Sequence, residues 1–475
     1  MTETGIVDVR GLAVTAPSSA AVGQFDTLID ELYYYRQGVV DRLVELLEEY
    51  PEFPLAHVLV GYSLMTEGTL AAQPKARASL RRAEALPANR RERLHQEALQ
   101  AWLDGDLLAR AAAWEQILLE WPHDLLAFRQ YTGTLFWVGD KQYQAEVVAG
   151  QACHWSSQIP GYGHFLSAKS FAMEEVGNYE VAERAAREAL SVQGQDLWAL
   201  HGLAHVLEMQ GRTDEGIELL EDAASFLNDY NLFRGHLWWH LSLFKFTRGC
   251  FDEVLELFDS EIYPKESAFY LDIQNGVSLL ARLEFQGVNV GTERWERLAQ
   301  ASLASATQCT LWFTAMHHLM ALLRSGRNSA ANATLSYLES ASENSSQAAL
   351  ACELSRAAAA LYQDKPGEAL ERMLDLRQRR GELGASHAQQ DLYDQIMVAA
   401  AMRLADLPRV RQLLKARLST RVWDASSWEA FEHQSRLVDG IDDATVVRAA
   451  LRWALGEPDE IRVAQQAGAV QDPGH

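Results

Sequence analysis

Apolar residues recur at helical spacing on both sides of a polar break along most of the chain, and the clearest instance is AKSFAMEEVGNYEVAERAAREAL, from Ala168 to Leu190. Two helices separated by Gly177 are predicted there, with Tyr179, Ala182 and Ala189 at the aromatic and small positions where paired helices touch. Glycine recurs between such patterns at Gly105, Gly139, Gly177, Gly211 and Gly249, in steps of 34, 38, 34 and 38 residues. A period of 34 is that of the tetratricopeptide repeat, in which a small residue closes helix A and a short turn leads into helix B. Weaker units lie around Gly68, Gly326 and Asp364 to Gly367. The helix from Leu107 to Glu120 ends at Trp121-Pro122, a stop with a mechanism, since proline lacks the donor that would continue it.

The predicted fold is therefore all-α, a tetratricopeptide-like solenoid that is open or closed on itself. Residues 1–24 read as a partly irregular N-terminal segment, 25–464 as one continuous repeat domain reaching a helix near Leu455, and 465–475 as a frayed tail. One helix pair cannot cover its own apolar face, so stacking on neighbours stabilises it, and the A helices then line the concave wall.

Composition agrees with that picture and narrows the partners. Hydrophobic residues make up 48% and charged residues 23%, with only 12 prolines, which suits a folded helical chain. The 42 basic and 65 acidic residues give a formal charge of -23, so a nucleic-acid partner is not expected. Basic runs such as Arg90–Arg93 and Arg377–Arg380 read as solvated helix faces. Cys153, Cys250, Cys309 and Cys352 are too dispersed for a disulfide framework or zinc knuckle and read as buried free thiols. With neither a signal-peptide pattern nor a membrane span, a cytoplasmic location is expected; a homo-oligomer is left open.

Histidine is the anomaly. Eight of the 14 fall between His154 and His318, and His201 with His205 and His236 with His240 are four apart, hence on one helix face. Counting back from Gly211 places His201, His205 and Glu208 on the groove side of their A helix. The next A helix presents His236 and His240, the following one Asp272 and Asn275, and the preceding one His164. Imidazoles and carboxylates are ligands for divalent transition metals, so His201, His205, Glu208, His236 and His240 form a candidate metal set. Imidazole beside carboxylate is equally a proton-transfer pair, with His205, His240 and His387 as catalytic candidates. The plainer reading is mutual hydrogen bonding and packing on Trp238 and Trp239. Of His317 and His318, at most one can face inward, and His154 and His433 read as packing residues. In GELGASHAQQDLYDQI, Gly381 and Gly384 break the helix and Ser386 is a candidate N-cap for a helix carrying His387 and Asp391. His387 reaches His205 or His240 only if the superhelix closes on itself.

Read in order, HGLAHVLEMQGR, HLWWHLSLF, LDIQNGVSLLARLE and GASHAQQDLYDQ resemble the tetratricopeptide repeat protein 38 family, which has bacterial and animal members. The matching places are His201, His205, Glu208, His236, His240, Asp272, His387 and Asp391. Ala385 and Gln390 replace a glycine and an arginine of the family motif, which removes a cation there. The resemblance implies the helical-repeat fold and no particular reaction. Together these readings point to an enclosed polar groove that binds a small molecule or peptide through His201, His205, Glu208, His236, His240, Asp272, His387 and Asp391. A metal-dependent or acid/base enzyme using the same histidines is the alternative, and a protein-protein scaffold the second. No Walker loop, Rossmann fingerprint or G-x-S-x-G elbow occurs.

Overall fold

Ser18 accepts a hydrogen bond from the Ala21 amide and so starts the first long helix, Ser19–Tyr33, somewhat earlier than the sequence pattern places it. The computed structural model describes residues 5–419. The helix expected near Leu455, His433 and the 465–475 tail lie outside the described residues.

From Ser19 to Ser419 the described chain is a succession of helix pairs. The pairs central to the site are Tyr162–Glu175 with Tyr179–Val192, Leu197–Met209 with Thr213–Ala223, and Tyr270–Phe285 with Thr292–Ser305. Between the last two, Arg234–Thr247 is followed by Phe251–Leu257 and a π turn over Phe258–Ile262. Each A helix stops the same way. At Gly177 the amide bonds to Glu174 O and the next amide to Met173 O, both 2.8 Å, and Gly211 repeats the arrangement. This ending needs a left-handed residue; Gly105, Gly139, Gly177, Gly211, Gly249 and Gly326 supply it, as does Gly287, while Asp364 and Ala405 adopt it at φ 58° and 54°.

The two layers differ in composition because they differ in burial. Along Leu197–Met209 every residue except Trp198 is buried, whereas Tyr179–Val192 buries Ala182, Ala185, Ala186 and Ala189 on one face. A helices are thus the inner wall and B helices the outer. Neighbouring A helices approach closely: a Cβ on Gly202 would lie 2.6 Å from Ser170 Oγ.

The superhelix is closed on itself. Thr69 and Cys309 form an antiparallel bridge, flanked by Leu70 N to Gln308 O and Thr310 N to Gly68 O, each 2.8 Å. Arg36 and Tyr230 form another, with Asn231 N donating to Tyr35 O at 2.8 Å. A third closure joins the Leu125–Val138 helix to the segment before His387, where Gln347 Nε2 donates to both Trp137 O (3.0 Å) and Glu382 O (2.7 Å). All four cysteines are free; Cys309 and Cys352 are buried as expected, but Cys153 is exposed and Cys250 partly so. No helix among the described residues is long and apolar enough to cross a membrane.

Candidate metal centre

His201 and His205 lie one turn apart on one inner helix, His236 and His240 on the next, and the four rings meet. Centroid separations are 4.5 Å for His201–His205 and His205–His240, 4.8 Å for His236–His240, and 5.1 Å for His201–His236 and His201–His240. One ring nitrogen from each falls within 4.8 Å of the others. The repeat register had placed these rings on a groove wall; they are in fact only 0–3% exposed. A peptide lying in an open groove would not touch them.

Oxygen acceptors face the Nδ1 side of three of these rings. Asn275 Oδ1 is 2.9 Å from His236 Nδ1, Glu208 Oε2 is 3.4 Å from His240 Nδ1, and Glu174 Oε2 is 3.5 Å from His205 Nδ1. The Asn275 hydrogen bond favours the His236 tautomer with its proton at Nδ1 and leaves Nε2 as a lone pair, and the Glu174 and Glu208 carboxylates bias His205 and His240 the same way through their charge. On the other side His205 Nε2 and His201 Nε2 are 3.0 Å apart, and His240 makes no hydrogen bond at either nitrogen among the described residues. Burial, then the neighbouring imidazoles, hold His201, His205 and His236 well below the usual histidine range, so these rings are neutral and able to ligate.

A second group adjoins the first. Glu174 and Glu175, which end the Tyr162–Glu175 helix, are buried, and His387 Nδ1 stands 3.8 Å from Glu174 Oε1 and 4.0 Å from Glu175 Oε2. Lys141 Nζ contacts the same Glu175 Oε2. Burial, and next the charge of Glu175, push Glu174 up to about 7. Burial alone would lower His387, but Glu175 and Glu174 raise it. The His387 side chain is 35% exposed, so solvent reaches the cluster from this side. Sequence reasoning missed Glu174, yet the signal was present: it precedes Gly177 by three residues as Glu208 precedes Gly211.

The remaining candidates have other duties. Asp272 accepts from Ser267 Oγ at 2.6 Å, and burial raises it to about 6; the residue that touches an imidazole from this helix is Asn275. Asp391 is held by Arg417, with 2.5 and 3.0 Å contacts, and by Gln395 at 2.6 Å. His164 bonds Asp30 on the first helix at 2.8 Å. His318 Nδ1 meets Ser302 Oγ at 3.0 Å on the B helix of the preceding pair, and His317 Nδ1 meets Phe313 O at 3.1 Å on its own helix. Ser386 caps the Asp391 helix as expected, in a full capping box with Gln389.

No family model matches the chain. Among solved structures, a human IFIT1 dimer with m7Gppp-AAAA is similar at 12% identity over 93% of this chain and 96% of that one, with a TM-score of 0.42. A tetratricopeptide repeat protein from Parabacteroides merdae is similar at 13% identity over 65% of this chain and 98% of its own, with a TM-score of 0.30. The fold is a tetratricopeptide-like helical repeat.

Proposed function

We propose that this chain is a metal-binding helical-repeat protein in which His201, His205, His236 and His240 hold one divalent transition ion, next to a site for a small molecule. The observation that carries this reading is the arrangement around the rings: oxygens of Glu174, Glu208 and Asn275 at the Nδ1 side of three of them, and one nitrogen from each of the four imidazoles within 4.8 Å of the others. Such an outer set of acceptors is what fixes histidine ligands in metalloproteins. Tetrahedral zinc with bonds of about 2.0–2.1 Å separates its nitrogen ligands by about 3.3 Å. The 3.0 Å between His201 Nε2 and His205 Nε2 is close to that edge. Manganese, iron, cobalt and nickel also take imidazole and would leave a position open on the ion for a further ligand.

Burial favours a small molecule over a peptide, and the charge of -23 disfavours a nucleic acid. Glu174, Glu175 and His387 supply the polar groups at the solvent side, where a substrate would meet the ion. Membership of the tetratricopeptide repeat protein 38 family is part of the same proposal, on the order and spacing of the motifs.

Loading chelator-stripped protein with cobalt(II) tests the centre. A visible d–d spectrum saturating at one equivalent is expected, with loss in His205→Gln/His240→Gln protein that keeps its helical circular dichroism. Absence of both spectral saturation and thermal stabilisation by manganese, iron, cobalt, nickel, copper and zinc overturns it.

A further inference from the structure

Glu175 occupies a place where the other repeats keep a different kind of residue. Two positions before the glycine that ends each inner helix stand Leu103, Trp137, Met209 and Phe285, with Thr247 and Arg324 in the remaining units. Only before Gly177 is that residue an acid. Its side chain is fully buried, and so is that of its neighbour Glu174.

The position makes these two carboxylates costly. Both lie in the last turn of the Tyr162–Glu175 helix, where the partial negative charge of the backbone disfavours an anion and favours a cation. Side by side and out of water they also repel each other, so the fold needs positive charge there. Lys141 supplies one such charge, at Glu175 Oε2, for two carboxylates. Among the described residues Glu174 accepts no hydrogen bond at either oxygen, Glu175 accepts none at Oε1, and His387 Nδ1 makes none.

These atoms converge because the superhelix closes. His387 Nδ1 is 3.8 Å from Glu174 Oε1 and 4.0 Å from Glu175 Oε2, and one possible ligand atom from each residue lies within 4.8 Å of the others. An octahedral ion with bonds of about 2.1–2.2 Å spaces its ligand atoms about 3.0 Å apart along an edge and about 4.3 Å across. The two measured distances fall between those limits. The capping box of Ser386 with Gln389 fixes the start of the helix that carries His387, and the partly exposed His387 side chain lets solvent complete the shell.

We infer that Glu174, Glu175 and His387 hold a second divalent cation, of the manganese(II) kind, outside the four-histidine centre. One imidazole among carboxylate and water ligands suits manganese better than copper or zinc. Glu174 serves both places, with Oε2 toward His205 Nδ1 and Oε1 toward this ion. The inference goes beyond the four-histidine reading, because neither ion requires the other.

Manganese(II) titration, followed by loss of the free-ion electron paramagnetic resonance signal, tests the site on chelator-stripped, full-length His205→Gln/His240→Gln protein. Saturation at one manganese per chain is expected. The four-histidine centre is disabled in that protein, so the two proposals fail separately. In the same background Glu175→Gln and His387→Gln should each weaken manganese by at least about tenfold, since each removes a ligand. His387→Gln, at a side chain open to solvent, keeps the test available if Glu175→Gln loses its helical circular dichroism. Introduced singly into the wild-type chain, the two changes should leave the cobalt d–d spectrum in place; six-coordinate cobalt among oxygens absorbs only weakly, so that spectrum reports the four-histidine centre. No manganese binding at millimolar ion, or unchanged affinity in a folded Glu175→Gln or His387→Gln variant, overturns the proposal and leaves a shared proton as the compensating charge.

Discussion

His205 and His387, distant in sequence, face the two oxygens of a single buried carboxylate. Glu174 Oε2 is 3.5 Å from His205 Nδ1 and Oε1 is 3.8 Å from His387 Nδ1. The relationship exists only because the superhelix closes. It brings the two histidine motifs to one carboxylate, and the following predictions concern what holds them together.

Glu174→Gln keeps shape and size but removes the charge facing His205. If Glu174 orients that ligand, metal affinity measured by chelator competition should fall by about tenfold to a hundredfold. Tm of the metal-free protein should stay level or rise, because the variant no longer carries a buried carboxylate beside Glu175. Unchanged affinity would remove Glu174 from the centre.

Gly139 lies at the third closure, against the segment before His387. Its φ is 83°, and a Cβ there would lie 2.1 Å from the carbonyl oxygen of Gly381 in the segment before His387. Gly105 has a similar φ, 75°, with open space around it. Gly105→Ala should therefore cost about 1–2 kcal/mol, the left-handed penalty alone. Gly139→Ala should cost at least about 3 kcal/mol, since overpacking against backbone is added. Denaturant melts check the difference, and amide exchange around 380–387 should accelerate only in Gly139→Ala. Equal costs would mean that this contact is soft.

The period of the glycines was enough to identify the repeat, because a left-handed helix ending leaves few other residue choices. Where Asp364 and Ala405 take that conformation, the signal fades and the pairs are harder to read. The clustering of His201, His205, His236 and His240 was equally legible, since spacing along one helix and stacking of successive A helices are both local properties. Closure was not legible. It depends on small rotations accumulated over many pairs, and no residue near His387 announces that Glu174 will lie opposite. For the same reason Asp391, which shares a turn with His387, read as a site residue although Arg417 holds it.

Stability should fall in mild acid, through His317 and His318. Burial holds both rings neutral, at about 3 for His317 and about 4 for His318, below the unfolded value of 6.5. The unfolded chain thus binds more protons between pH 6.5 and about 4, and stability declines as pH drops through that window. At pH 5 each ring accounts for up to ~2 kcal/mol of lost stability relative to pH 7.5. Urea melts of metal-free protein should show this slope, and His318→Gln should flatten it. An unaltered slope in His318→Gln would mean that the imidazole is hydrated and titrates normally in the fold.

Asp391 provides the sharpest separation between support and ligation. Its carboxylate takes both Arg417 contacts, with Arg282 3.8 Å away, and all three side chains are buried. Removing one member of such a group leaves charge uncompensated in a poorly solvated place, at a cost of about 3–5 kcal/mol. Asp391→Asn should therefore lower stability by an amount in that range while the cobalt stoichiometry stays at one. Arg417→Met on top of Asp391→Asn should recover part of the loss, because the orphaned cation goes with it. If Asp391→Asn instead lowers the cobalt stoichiometry and leaves the urea midpoint in place, its carboxylate belongs to the metal centre and the ion pair with Arg417 is incidental.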